Sequence, residues 1–319
     1  MTRTSLASFL DPSAELGTVI NSIATACTEI SAILRSGALT GMLGSLESEN
    51  VQGETQKELD VKTNEIMVDI LSANRHVAAL ASEEMDDILP LPHSGGSYVA
   101  AFDPLDGSSN IDKVMSVGTI FSILPAPAGP ATVADFLKPG STQAAAGYVI
   151  YGPQTVMMLT LGDGVFEFTL DPMDDQWLMT GENIAMPSGA RMFAVNISNR
   201  RHWSQPVRDQ IDAYMLGKDG PLGKDYNMRW AGSMVADLHR IFKQGGVFLY
   251  PQDMRTPDKP GKLRLIYECN PMALLVEQAG GAASTGAQRV LDVVPTKLHQ
   301  RVPIVIGEAG EVAAFEQAK

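Results

Sequence analysis

Acidic side chains follow two short apolar segments that are typical of buried strands. Glu83 and Glu84 come directly after the first segment. Asp103 and Asp106 follow the second, residues 98–102. Because ligands bind at the carboxyl ends of strands in open sheets, these side chains are candidates for one shared site. Crowded carboxylates repel each other, and the usual compensation is a hard divalent cation such as Mg²⁺. The pattern therefore predicts a metal site.

The segment 103–109 adds a phosphate site to these carboxylates, since it reads Asp-Pro-Leu-Asp-Gly-Ser-Ser. Pro104 restricts the backbone between the two aspartates, and Gly107 permits a turn into the start of a helix. The free backbone N–H groups of a helix start attract phosphate. Acidic residues after a strand are more often solvated turn residues, and a lone Glu-Glu pair favours that simpler interpretation. The combination in 103–109 favours a site for a metal ion and a phosphoryl group.

The spacing of apolar residues predicts the elements that position these groups. The last helix has clear boundary signals: Asn270 as N-cap, Pro271 at the first helical position and Gly280 at the end. Glu268 ends the strand that precedes this helix, so it can face the same crevice. Predicted helices cover 16–35, 59–73, 206–215, 234–242 and the segment after Asn270; predicted strands cover 76–81, 98–102, 117–124, 147–150, 156–161, 165–170, 193–196, 247–250 and 263–267.

A stretch rich in Gly and Pro, residues 181–189, is the best candidate for a domain boundary. Beyond it the pattern becomes one of alternating strands and helices. We therefore predict two domains, 1–186 and 187–319, with mixed sheets and flanking helices. The fold class is α/β or α+β with layered elements.

Composition excludes several classes of protein. The chain of 319 residues has a formal net charge of −13, which argues against binding of nucleic acid. Its two cysteines make no disulfide framework, and its long uncharged stretches, 114–134 and 139–162, are broken by Gly and Pro. We expect a soluble, cytoplasmic protein without a membrane span. An anionic substrate would require bound cations or local Lys and Arg side chains.

The segment Asp-Pro-x-Asp-Gly-Ser/Thr resembles the signature of the lithium-sensitive phosphatase superfamily. The longer run 102–112, FDPLDGSSNID, is similar to class I fructose-1,6-bisphosphatases in particular. Collinear matches at 82–84, 146–148, 232–237, 261–273 and 299–301 extend the resemblance over nearly the whole chain. It implies an α-β-α-β-α fold and hydrolysis of D-fructose 1,6-bisphosphate to D-fructose 6-phosphate and phosphate.

The resemblance also implies roles for individual residues. A cluster of two or more Mg²⁺ ions, or Mn²⁺ in their place, would be bound by Glu83, Asp103, the backbone carbonyl of Leu105, Asp106 and Glu268. Asp60 and Glu84 would activate the attacking water, and Glu54 is a possible further contributor. The 1-phosphate would bind to Gly107, Ser108, Ser109 and Arg264. The sugar and the 6-phosphate would bind to Asn196, Arg229, Gly232, Ser233, Met234, Tyr250 and Lys262, with Arg229 supplied by a neighbouring subunit of a homotetramer.

Several alternatives stay open. Asp60 taken alone is a common type of polar helix residue, and Arg229, Lys262 and Arg264 taken singly are common surface cations. Trp230 and Asn199 stand where many relatives have Tyr. A sedoheptulose-1,7-bisphosphatase, a dual bisphosphatase and a non-catalytic sugar-phosphate sensor are therefore the other candidate functions.

Regulation and pathway are the remaining expectations. Glu15 and Tyr98 correspond to parts of the AMP site in animal members of the family, but Ser97 replaces an expected lysine. A missing cation weakens phosphate binding, so we expect weak or absent inhibition by AMP. Gluconeogenesis and the Calvin cycle both use the reaction, and the sequence does not choose between them.

Overall fold

The computed structural model describes residues 3–11, 13–40, 45–49, 55–92, 95–189 and 191–317. Glu54 lies outside these ranges. The helices are α1 Leu6–Phe9, α2 Glu15–Ser36, α3 Glu58–Ser72, α4 Val133–Phe136, α5 Gln205–Leu216, α6 Met234–Gln244, α7 Asn270–Gln278 and α8 Ala309–Gln317. The strands are β1 Ser45–Glu49, β2 Thr55–Lys57, β3 Val77–Ser82, β4 Leu89–Pro90, β5 Tyr98–Asp106, β6 Val117–Pro125, β7 Ala145–Tyr151, β8 Thr155–Thr160, β9 Phe166–Leu170, β10 Trp177–Gly181, β11 Met192–Ala194, β12 Asn227–Met228, β13 Val247–Tyr250, β14 Leu263–Arg264, β15 Ala282–Ser284, β16 Arg301–Val302 and β17 Ile304–Gly307.

The first large sheet has eight strands in the order β10-β9-β8-β7-β6-β5-β3-β4. Its neighbouring strands are antiparallel except for β3 and β5, which run parallel. The carboxyl ends of β3 and β5 therefore lie side by side at one edge of the sheet. This arrangement brings together the two acidic segments that the sequence places after them.

The second large sheet has five strands in the order β12-β11-β13-β17-β15. β11 runs parallel to β12 and β13, and β17 runs antiparallel to β13 and β15. Two short antiparallel pairs, β1-β2 and β14-β16, complete the strand pairing in the described ranges.

The helices and sheets pack on one another in five layers through their apolar faces. The buried faces of α2 and α3 pack on the first sheet through residues such as Ile23 and Met67. Between the two sheets lie α6 and α7, whose Leu238 and Leu275 belong to one core with side chains from both sheets. The outer face of the second sheet is covered by α5 and α8. The predicted α-β-α-β-α order is thereby confirmed, whereas the domain limits at residues 186 and 187 stay a prediction.

Helix α2 is long and apolar enough, by length and composition, to cross a membrane. Half of its most apolar window is buried, and Ile20, Cys27 and Ile30 have no exposed surface. Core helices of folded proteins meet the same criterion, and α2 packs as one, with α3 beside it. The helix ends at Gly37, as the sequence predicts, with φ at 48°.

The structure corrects two details of the predicted segment around Glu268. The predicted strand 263–267 is shorter, because β14 ends at Arg264 and a π-helical turn covers Leu265–Cys269. Asn270 is the first residue of α7 and not its N-cap, since its φ and ψ are −63° and −50°. A short buried apolar run has no periodicity that distinguishes strand from helix, which explains both errors.

Candidate active site

Three buried carboxylates converge at the carboxyl edge of the first sheet. Asp103 and Asp106 belong to β5, and Glu268 belongs to the π-helical turn. Each offers an oxygen atom that lies within 4.8 Å of the others. None of the three side chains is more than 7% exposed. The predicted convergence of residues from distant parts of the chain is therefore observed.

Arg264 links this cluster to the other acidic segment. Its Nη2 lies 2.5 Å from Oε1 of Glu83, and its Nη1 lies 3.7 Å from Oε2 of Glu268. The backbone N–H of Arg264 also donates to Oε2 of Glu268 at 2.5 Å. The guanidinium is 4% exposed, so it acts as a buried counter-charge inside an acidic protein. This supplies part of the local positive charge that an anionic substrate would require.

The carboxylate cluster has the chemistry of a divalent-cation site. Burial, and then the charges of Glu83, Asp106 and Glu268, raise the pKa of Asp103 well above its usual value. A cation bound among these oxygens would favour their charged forms and reverse this shift. Carboxylate oxygens are also the ligands that Mg²⁺ prefers. The residues present therefore fit a divalent metal ion.

The N-terminus of α6 is directed at Asp106. The hydroxyl of Ser233 donates to Oδ2 at 2.5 Å, and the N–H of Val235 donates to the same oxygen at 2.9 Å. The N–H of Met234 lies 3.3 Å from Oδ1. Burial raises the pKa of Asp106, and these hydrogen bonds act in the opposite direction. The positive end of the helix dipole adds to this stabilisation of the charged form.

The predicted phosphate segment follows Asp106 and forms a 3₁₀ turn over Ser108–Lys113. Gly107 precedes it with a φ of 75°, and a Cβ atom at this position would lie 2.5 Å from Cβ of Ser233. The amide of Asn110 donates to the carbonyl of Ala231 at 2.9 Å. Glycine is therefore required at 107 both by the backbone conformation and by the closeness of Ser233.

One cavity of about 450 Å³ holds most of the predicted site residues. Asp60 reaches it from the first turn of α3. The other predicted residues that line it are Glu83, Glu84, Asp103, Leu105, Asp106, Gly107, Ser108, Ser109, Asn196, Gly232, Met234, Tyr250, Lys262, Arg264 and Glu268. Their individual roles stay predictions.

Two of the predicted substrate-binding residues lie outside this lining. Ser233 is 1% exposed and directs its hydroxyl to Asp106. Arg229 is exposed, and its Nη1 donates to the carbonyl of Met228 at 2.8 Å. Their proposed contacts with the sugar and the 6-phosphate also stay predictions.

Sequence reasoning noted Trp230 as a departure from relatives but missed Phe248 and Leu263, and all three line this cavity. The rings of Trp230 and Phe248 stack with centroids 5.8 Å apart. Asp237 accepts the N–H groups of Ala231 and Gly232, at 2.9 and 3.2 Å, and so fixes the loop before α6. Burial raises the pKa of Asp237 to about 6. The family motif at 232–237 includes Asp237 and could have pointed to it. The structural role of Asp237 was not predictable, because it depends on a loop and loops have no apolar periodicity.

Comparison with known proteins agrees with this geometry. The family model of the fructose-1,6-bisphosphatase N-terminal domain matches residues 4–182, and that of the C-terminal domain matches residues 186–319. The chain belongs to the fructose-1,6-bisphosphatase family. The predicted membership is thereby confirmed, and the family implies dependence on a divalent metal ion.

Individual relatives support the same assignment. The chain is 54% identical over 298 residues to fructose-1,6-bisphosphatase class 1 of Acinetobacter baumannii strain AYE, covering 93% of this chain and 92% of the relative. The proteins of strains SDF and ACICU match equally well. Among solved structures, the holo form of Leishmania major fructose-1,6-bisphosphatase superposes with a TM-score of 0.94 at 35% identity, covering 100% of this chain and 99% of that one.

Proposed function

We propose that this chain hydrolyses D-fructose 1,6-bisphosphate to D-fructose 6-phosphate and phosphate. The observation that carries the proposal is the buried cluster of Asp103, Asp106 and Glu268, whose oxygens lie within 4.8 Å of one another. The same cavity contains the turn at Gly107 and Ser108. Relatives that cover nearly the whole chain bear the name of this activity. A metal site next to a phosphate-binding turn is what phosphate monoester hydrolysis requires.

The metal site is proposed to hold two or more Mg²⁺ ions, or Mn²⁺. The ligands would be Glu83, Asp103, Asp106, Glu268 and the backbone carbonyl of Leu105, all of which line the cavity. Hard oxygen donors favour these ions over softer metals. When bound, a divalent ion supplies charge stabilisation for the phosphoryl group and lowers the pKa of a coordinated water molecule.

The 1-phosphate is proposed to bind at the start of the 3₁₀ turn. The backbone N–H groups of Gly107, Ser108 and Ser109 would donate to its oxygens, as helix starts do for anions. The guanidinium of Arg264 lies in the same cavity, where it balances the negative charge of the substrate. Charge that develops during phosphoryl transfer is stabilised best by groups that are already in place, and Arg264 is held by Glu83.

Asp60 and Glu84 are proposed to orient the attacking water and to accept its proton. Both line the cavity, and Asp60 is 5% exposed. A carboxylate near an activated water molecule is a suitable general base. The presence of this pair favours an enzyme over a sugar-phosphate sensor, because a binding protein has no need to activate water.

The remaining part of the substrate is proposed to bind on the second half of the chain. Asn196, Gly232, Met234, Tyr250 and Lys262 line that side of the cavity, and Lys262 adds positive charge. The ring of Trp230 forms an apolar wall beside Tyr250, with centroids 5.9 Å apart. This wall differs from that of many relatives, so a seven-carbon bisphosphate belongs among the substrates to be compared.

The assembly and the compartment are also proposals. We propose a homotetramer in which Arg229 serves the 6-phosphate of a neighbouring subunit, which is consistent with its exposed position outside the cavity lining. A cytoplasmic location is supported by the two free thiols, Cys27 and Cys269, which are both buried. Glu15 accepts a hydrogen bond from Ser97, and weak inhibition by AMP stays a prediction.

A phosphate-release assay tests the proposed function. Purified protein with Mg²⁺ is expected to release phosphate from fructose 1,6-bisphosphate faster than from fructose 6-phosphate or inositol monophosphate. Sedoheptulose 1,7-bisphosphate is included to measure the second candidate activity. No release from any of these substrates would overturn the proposal and leave a sugar-phosphate sensor.

The variant Asp103→Ala should lose at least about a hundredfold in kcat, because it removes a central metal ligand. Its circular dichroism spectrum should remain that of the wild type. Asp163→Ala changes an exposed aspartate in the turn between β8 and β9 and should keep full activity. Normal turnover by Asp103→Ala would refute the metal assignment.

A further inference from the structure

A β-bulge lies between two of the proposed metal ligands. The register of β5 against β6 shifts between Asp103 and Asp106, where Pro104 and Leu105 together lie opposite Thr119 alone. A bulge leaves backbone groups outside the regular ladder, so these groups need other hydrogen-bond partners. The partners that they find decide how the two aspartates are oriented.

The peptide unit between Pro104 and Leu105 is hydrogen-bonded on both sides. Its carbonyl accepts the hydroxyl of Thr119 at 2.9 Å. Its N–H donates to Oδ1 of Asp103 at 3.0 Å. Because a peptide unit is planar and rigid, fixing the carbonyl also fixes the direction of the N–H group. By fixing this peptide unit, Thr119 therefore fixes the direction of the hydrogen bond that the carboxylate of Asp103 accepts.

The side chain of Tyr151 fixes the hydroxyl of Thr119. A carbonyl only accepts, so the one hydrogen of Thr119 is used on Pro104, and the hydroxyl of Tyr151 must donate to Thr119, at 2.8 Å. The thiol of Cys27, in α2, lies next to the same pair of hydroxyls. Burial raises the pKa of this thiol to about 12, so it stays protonated.

Tyr151 and Thr119 form a buried hydrogen-bonded relay to the bulge, and Cys27 of α2 lies beside it. Cys27 and Thr119 have no exposed surface, and Tyr151 is 6% exposed. Hydrogen bonds in such a dry environment are strong, and they are costly to break because water does not replace them. No step of the proposed hydrolysis uses any of the three groups.

We infer that Thr119, supported by Tyr151, is a positioning residue that sets the carboxylate of Asp103 for metal binding. The inference rests on the proposed function, since it concerns the proposed metal site. Outer-sphere partners of metal ligands typically contribute about 10- to 100-fold in metal affinity or activity. The relay thus acts on the proposed metal site although neither Thr119 nor Tyr151 lines the cavity.

The decisive variant is Thr119→Val, which keeps the shape of the side chain and removes the hydroxyl. Titration with Mn²⁺, followed by the electron paramagnetic resonance of the free ion, should show a Kd at least about tenfold higher than that of the wild type. In metal-free protein, hydrogen exchange at the amide of Leu105 should become faster, because its peptide plane is no longer fixed. Thr119→Ser should restore both properties.

Thr160→Val is the matched control. Thr160 also has no exposed surface, lies in β8 of the same sheet and uses its hydroxyl to accept the N–H of Gly162. This variant should lose thermal stability but retain the Kd for Mn²⁺. An equal loss of affinity in both variants would show a general structural effect and overturn the inference.

Further outcomes are equally decisive. If Thr119→Val fails to fold, Tyr151→Phe replaces it, and a Kd for Mn²⁺ raised on the order of threefold is expected because only the outer bond of the relay is lost. Unchanged Mn²⁺ affinity and unchanged exchange at Leu105 would refute the positioning role. A wild-type protein that binds no Mn²⁺ and releases no phosphate would instead refute the proposed function, while exchange at Leu105 would still report on the relay.

Discussion

Asp106 is held by groups that come from the other half of the chain. Ser233, Met234 and Val235 all donate to its carboxylate. Gly107 makes this contact possible, because any larger residue would collide with Ser233. The requirement for glycine thus concerns the proposed metal site and not only the turn.

The variant Gly107→Ala tests this requirement. The φ of 75° alone is expected to cost about 1 kcal/mol of unfolding free energy. The contact at 2.5 Å from Cβ of Ser233 should add about 1–3 kcal/mol. Phosphate release should fall at least about tenfold, because the displaced Ser233 no longer holds Asp106. Urea denaturation and the phosphate assay measure both effects.

Gly189→Ala is the control for backbone conformation. Gly189 has a φ of 72°, and nothing lies within 4 Å of a Cβ placed there. This variant should show the loss of about 1 kcal/mol without a change in activity. Equal effects of the two variants would contradict the importance of the contact with Ser233.

Helix α6 is one of the two helices that pack between the two large sheets. The N-terminus of α6 holds Asp106. Further along the helix, Nδ1 of His239 is hydrogen-bonded to the hydroxyl of Tyr148 in β7, at 3.0 Å. Burial, followed by the charge of Lys243, lowers the pKa of His239 to about 4 from 6.5. The helix is therefore packed against the first sheet through a neutral imidazole at physiological pH.

The lowered pKa of His239 predicts that the folded protein loses stability in acid. Between pH 6.5 and 4 the unfolded chain binds a proton at His239 that the folded chain does not, so stability falls as the pH falls. The loss amounts to up to about 3 kcal/mol by pH 4. In His239→Gln this contribution disappears, and the unfolding free energy should decline less over the same range of pH.

The comparison with wild type isolates His239. The raised pKa of Asp237, about 6, acts in the opposite direction, but it is present in both proteins. Parallel curves of unfolding free energy against pH for the wild type and His239→Gln would show that the pKa of His239 is not lowered.

The sequence predicts elements well where a pattern extends over many residues. Glu83 and Asp103 each follow an apolar run, and the parallel arrangement of β3 and β5 explains why both lie at the one edge predicted for them. The π-helical turn and the bulge at Pro104 were not predicted, because each depends on a few hydrogen bonds. Thr119 was missed for the same reason, since a polar residue in a buried strand gives no sign of its partner.

At the scale of the whole molecule, the site lies between two halves of the chain and is proposed to involve a second subunit. The tetramer and the role of Arg229 were predicted from the family resemblance alone. The sequence of one chain contains no pattern that identifies the neighbouring subunits. Lys262 and Arg264, by contrast, both line the cavity within a single chain. Arg229 is exposed and lies outside the cavity lining.

Subunit mixing tests the role of Arg229. Arg229→Ala and Asp103→Ala should each be nearly inactive on fructose 1,6-bisphosphate. When the two are unfolded together and refolded as mixed oligomers, about a quarter of the sites should combine an intact metal cluster with an intact arginine from the neighbour. Phosphate release measures the recovered activity, and light scattering after gel filtration measures the assembly.

A mixture of Asp103→Ala with Asp106→Ala is the control, because both changes affect the cluster of one subunit. This mixture should recover no activity. If the mixture of Arg229→Ala and Asp103→Ala recovers no activity although its oligomers contain both variants, the proposed role is wrong. Arg229 would then act within its own subunit or take no part in the reaction.

Helix α6 also connects the metal site with a distant part of the first sheet. Its Lys243, in the last turn, pairs with Glu167 of β9, while its first turn holds Asp106. The helix has 11 residues and therefore spans about 16 Å. Contacts at both ends of one rigid helix therefore fix how far Asp106 lies from Glu167. Lys243→Ala would free only the distal end, so the two ends of α6 are separable by mutation.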